Sequence, residues 1–122
     1  MTRYDPYEHA EELGITVLHR KIRTANGLWL PDHNTIVIRS GMRVLHDRST
    51  LAHEIAHAVL GHFDGRPKHE IQADRLASEN LIDLDECREA MKTAPDEERL
   101  ALELGVSTRL LRAYLAVHRL AG

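Results

Sequence analysis

The sequence predicts an α+β domain in which an N-terminal helix and a small antiparallel sheet precede a run of helices. Three observations carry that expectation. Two β-branched, strand-like runs, ITVLHRKI and NTIVIRS, lie within residues 15–40. From DRST onward the apolar residues recur at helical spacing instead. The 122 residues suffice for one core, or for a small domain with a helical extension, but not for two independent cores.

Each element has its own signal. In DPYEHAEELG, Asp5 is the expected N-cap, Pro6 suits the first helical position and Gly14 is a stop, so a short amphipathic helix opens the chain. Asn26-Gly27 and Pro31-Asp32 supply turns around LWL, and residues 15–40 therefore read as the sheet. Asp47 or Ser49 is the expected cap of the next helix, which runs to Leu60 before Gly61. FDGRPK reads as a loop. Further helices are expected over residues 69–81, from Asp83, from Pro95-Asp96, and over residues 108–120 after Gly105-Val106-Ser107. Residues 1–94 form the main unit in this reading. Residues 95–122 form a helical tail, helix-turn-helix-like in pattern and packed on the same domain.

Composition narrows the chemistry. With one Phe and one Trp, the core is left to Leu, Ile, Val and Ala. A formal charge of −3 gives no general attraction to nucleic acid or to an anionic membrane. Cys87 is the only cysteine, which rules out an internal disulfide and a cysteine-based metal site. No apolar run approaches membrane-spanning length, and MTRYDPYEHAEELG is charged where a secretory signal is apolar, so the expected location is the cytoplasm.

LAHEIAHAVLGH carries the sharpest pattern. At about 100° per residue, Leu51, Ile55, Ala58 and Val59 gather on one helix face, while His53 and His57 project from roughly the opposite side. Glu54 lies about 80° from the histidines' common direction, so it reaches the space before them without competing for the same point. Two imidazoles on successive turns can converge on one tetrahedral zinc, and the adjacent carboxylate can take a proton from water there. A third ligand is needed. Glu70 and Asp74, four apart in KHEIQADRLASENL, share a face with the small residues Ala73 and Ala77, which would let this helix lie close to the first. Glu70 could complete a His, His, Glu set, and Asp74 could accept a hydrogen bond from one ligand imidazole. The plainer reading is a solvated acidic face paired with Lys68 or Arg75.

HEIAHAVLGH followed by EIQADRLASENLI resembles the ImmA/IrrE family of zinc metallopeptidases. GLWLPDHNTIVIRSGM resembles the family's strands and linker, and LGVSTRLLRAYL its helical tail, so the likeness covers most of the chain. The resemblance implies a minimal zincin-like fold of gluzincin type and one zinc per chain. It implies His53, His57 and Glu70 as ligands, Glu54 as catalytic base, and intracellular cleavage of phage or mobile-element repressors with helix-turn-helix domains. Two departures are visible. Asp83 stands where many relatives have a proline, and Gln72 where a second glutamate often occurs, which leaves Glu70 the better ligand candidate. In zinc peptidases of similar build a strand edge pairs with substrate, and NTIVIRS is the expected edge. No second oxyanion stabiliser stands out.

Two readings of other classes stay open. The same ligands would serve a zinc-binding regulator that cuts nothing. In EERLALELGVSTRLLRAYL, Ala101, Gly105, Val106 and Leu111 follow a helix-turn-helix pattern, and Arg109, Arg112 and Arg119 could face phosphates. Asp96, Glu97, Glu98 and Glu103 on the preceding helix, with no basic arm beside them, argue against DNA as the partner and for a structural or partner-docking tail, the protein substrate being what the resemblance implies.

Overall fold

A computed structural model describes residues 3–119, and its elements follow the expected order. Helix α1 (Pro6–Glu12) is capped by Asp5, whose side chain accepts from Tyr7 N–H, and Pro6 occupies its first turn. Strands β1 (Thr16–Arg20), β2 (Gly27–Leu30) and β3 (Thr35–Arg39) form the sheet. Five helices follow: α2 (Val44–Leu60), α3 (Pro67–Leu81), α4 (Leu84–Met91), α5 (Glu97–Leu104) and α6 (Thr108–His118). The expected end of the last helix at Leu120 lies outside the described residues.

The sheet is mixed rather than antiparallel. Its order is β1-β3-β2, with β2 antiparallel to β3 but β1 parallel to it. The most apolar strand thereby takes the centre, where Ile36 and Ile38 are fully buried. Arg39 ties down the crossover between β1 and β2 by supplying donors to its carbonyls. Its Nε donates to Ile22 O, its Nη2 to Arg23 O and its backbone N–H to Asn26 O. Only β2 and β3 form a true hairpin, turned by a short 3-10 stretch (Pro31–His33) and by Asn34 in the left-handed region at φ 46°.

One face of this sheet rests on α2. Val17, Ile36 and Trp29 lie in register across the three strands, and so do His19, Ile38 and Gly27. Ile36 and Ile38 join Ala10, Ile15, Leu51 and Ile55 in an aliphatic core. A second core lies on the other side of α2, where Ala52 and Ala56 share a cluster with Ala73, Ala77, Leu104, Val106, Leu111 and Tyr114. Helix α2 therefore has two buried faces, not one. Val59, expected on the buried face, is exposed, and His57, expected outside the core, is buried.

Helix starts also differ. Helix α2 begins at Val44 without a side-chain cap. Asp47 instead accepts from the Tyr7 hydroxyl and sits 2.8 Å from His19 Nε2, tying α1 and β1 to α2. The Ser49 hydroxyl oxygen accepts from Ser107 N–H at 3.0 Å, tying α6 to it. Helix α3 starts two residues earlier than expected because Pro67 fills its first position. Among the described residues no helix is long and apolar enough to cross a membrane.

Candidate metal centre

The alanines between α2 and α3 let the two helices meet, and three predicted residues converge where they do. His53 Nε2 and His57 Nε2 lie 3.0 Å apart, with Glu70 Oε2 at 2.7 Å from the first and 2.9 Å from the second. Two rings from successive turns of α2 and one carboxylate from the first turn of α3 thus aim single atoms at a common point. Three bare acceptors this close repel one another unless a proton or a cation lies among them. Ligands about 2.0 Å from a tetrahedral zinc sit roughly 3.3 Å apart, so a small outward turn of the side chains admits such an ion. The donor set fits a metal of that class.

The surrounding charges favour positive charge at the centre. Burial pulls the His53 imidazole down, yet the carboxylate of Asp74 and the charges of Glu54 and Glu70 hold it above its ordinary value. Burial raises Glu70 and Asp74, but the histidines hold Glu70 below the usual carboxylate range, while His53 and Arg109 do the same for Asp74. His57 is lowered by burial and by neighbouring His53. Of the two imidazoles, His53 is the one that its neighbours hold toward the charged form.

Asp74 stands where the spacing puts it, one turn after Glu70. Its buried Oδ1 faces His53 Nδ1 at 2.8 Å, and its Oδ2 accepts from Arg109 Nε at 2.9 Å. The exposed acidic face paired with Lys68 or Arg75 is not what forms: the partners are His53 and, from α6, Arg109.

Glu54 occupies a different wall of the same cleft. It is buried, and burial pushes its carboxyl up to about 7, partly offset by His53, by Arg109 and by a hydrogen bond from Trp29 N–H on β2. Its methylene lies over Gly27, where an added Cβ would come within 3.0 Å of Glu54 Cγ and 2.6 Å of Thr50 Cγ2. The cleft is open and is lined by Gly27, Thr50, His53, Glu54, Glu70 and Asp74, with Ser107 to Leu110 forming the far wall. NTIVIRS cannot offer its edge there, because β3 is paired on both sides. The strand with a free edge beside Glu54 is β2.

Several residues at this site escaped sequence reasoning. His62 is buried with Nδ1 3.0 Å from His57 Nδ1, and Gln72 contacts its other nitrogen. Arg109 and Arg112, open to phosphates only in the DNA-binding alternative, are paired with Asp74 and with Glu97. Gly27 was read only as a turn. The available signals were Gly61 just before His62, which reverses the chain, and the tail's small residues, which mark a packed rather than free helix pair.

No curated protein matches the chain. The family model of the IrrE N-terminal-like domain, peptidase M78, matches residues 10–115. That span takes in His53, Glu54, His57 and Glu70 together with the sheet and most of the tail, and the chain belongs to this ImmA/IrrE family of metallopeptidases.

Proposed function

We propose that this protein is a zinc-dependent endopeptidase of the HExxH type, with His53, His57 and Glu70 as ligands of one zinc and Glu54 as general base. The observation that carries the reading is the convergence of three ligand atoms beside a buried carboxylate whose pKa is raised to about 7. When bound, zinc supplies Lewis acidity that acidifies water and polarises a carbonyl. Glu54 then holds the proton that the attacking water gives up and hands it to the departing amine nitrogen. Its placement against Gly27 and Trp29 N–H keeps the carboxylate aimed into the cleft. The free edge of β2 can pair with an extended substrate backbone alongside it. Asp74 orients His53, and Arg109 orients Asp74.

The substrate in this reading is a cytoplasmic regulatory protein, namely a helix-turn-helix repressor of a phage or mobile element, as the sequence resemblance implies. The test incubates zinc-loaded protein with repressors encoded beside its gene. Wild type should cut its target. Glu54→Gln should keep zinc, fold and target binding while cleavage slows by about 100-fold to 10,000-fold, the usual loss for a positioned general base. A Glu54→Gln variant matching wild type in every assay would replace the enzyme with a zinc-binding regulator.

A further inference from the structure

His62 lies behind the ligand cluster rather than in it. We infer that His62 and Gln72 are positioning residues for His57, forming a hydrogen-bond relay that keeps a proton on His57 Nδ1 and turns its bare Nε2 toward Glu70 and His53. The inference rests on the metal-centre reading above and deepens it.

With a cation among His57 Nε2, His53 Nε2 and Glu70 Oε2, as the metal-centre reading has it, counting donors and acceptors from Gln72 inward sets the relay. Gln72 Oε1 lies 2.9 Å from His62 Nε2, and a carbonyl oxygen only accepts, so that nitrogen carries the hydrogen. In a neutral ring His62 Nδ1 is then bare. It faces His57 Nδ1 at 3.0 Å, and two bare nitrogens do not face each other at that distance, so His57 Nδ1 donates. The remaining nitrogen of His57 is the one presented to the cluster. The tautomer needed for ligation is thereby chosen two groups away, by an amide on α3.

The backbone builds this arrangement. Gly61, in the left-handed region at φ 71°, ends α2 so that its N–H donates to Ala58 O and His62 N–H donates to His57 O at 2.9 Å. That pair of bonds returns His62 onto the turn carrying the ligand. The ring of His69 stacks on His62 at 4.0 Å with an 8° interplanar angle, and Asp64 Oδ1 in turn holds His69 Nδ1 at 2.7 Å. Both nitrogens of His62 are engaged away from the cluster, which distinguishes it from a fourth ligand.

The test measures zinc affinity of the full chain by chelator competition. His62→Leu should weaken zinc by about 10-fold to 100-fold, the range for lost support of a ligand imidazole. His62→Asn, whose amide oxygen can take the place of Nδ1, should restore most of it, and Gln72→Leu should show a smaller loss. Nitrogen NMR of the unmodified zinc-loaded protein should find hydrogens on His57 Nδ1 and His62 Nε2, which decides the matter even if His62→Leu does not fold. Unchanged zinc affinity in a folded His62→Leu, or a bare His57 Nδ1, overturns the relay alone. Failure of the wild type to take up zinc overturns the metal-centre reading with it.

Discussion

The two sides of α2 are packed with different residues and serve different parts of the cleft. Against the sheet it sets Leu51 and Ile55, which meet Ile36 and Ile38, and the one functional group held there is Glu54. Against the helices it sets Ala52 and Ala56, which share a core with Ala73 and Ala77, and there the ligand cluster forms. Bulky aliphatics keep the sheet at a side chain's distance, and at Gly27 the missing Cβ lets it come close to Thr50 and Glu54. Alanines bring α3 near enough for a carboxylate in its first turn to reach two imidazoles. The proposed base and the proposed ligands are thus supported by separate halves of the fold. Damage to one half should be readable without damage to the other.

That separation orders the expected effects. Glu70→Ala removes the only group that α3 gives to the three-atom cluster, so zinc should be largely lost on dialysis while the fold persists, as metal analysis and circular dichroism will show. Zinc retained at full occupancy would move the third ligand elsewhere. Asp74→Ala should act more mildly, weakening zinc about 10-fold to 100-fold by freeing the His53 ring, again by chelator competition. If Asp74→Ala empties the site and Glu70→Ala does not, their roles are exchanged. On the sheet side, Gly27→Ala forces a Cβ against Thr50 and Glu54. It should cost about 1–3 kcal/mol in a denaturant titration, as overpacking does, and slow cleavage with zinc affinity unchanged. Loss of zinc in Gly27→Ala would break the division between the halves.

What could be read in the sequence was whatever depends on near neighbours along the chain. Asp5, Pro6, Gly61, Asp96 and Ser107 mark helix ends because capping satisfies groups within one turn. The phase of His53 and His57, and of Glu70 and Asp74, follows from helical pitch alone, and all four side chains stand together. Asp47 and Ser49 misled for an instructive reason. Their oxygens accept from any donor nearby, and here the donors come from Tyr7, on α1, and from Ser107, which caps α6. Strand order was hidden likewise. Placing β3 between β1 and β2 depends on which strand is most apolar and on Arg39 reaching a loop 16 residues away, not on turn residues. His62 required both a chain reversal at Gly61 and the return of α3 to bring Gln72 alongside.

The attachment of the tail has a consequence for timing during synthesis. Ser107 is bonded to Ser49, Arg48 donates to Gly105 O, and Arg109 holds Asp74, so the far wall of the cleft belongs to residues translated long after the HExxH helix. A nascent chain that has emerged only through α3 has every ligand candidate but lacks this wall, the guanidinium behind Asp74 and much of the core beneath Ala52 and Ala56. Such a chain should be proteolytically silent on the ribosome. Activity would switch on once α6 docks and completes the far wall of the cleft. Ribosome-stalled chains of increasing length, tested on a separate substrate, should show cleavage only when α6 is clear of the exit tunnel.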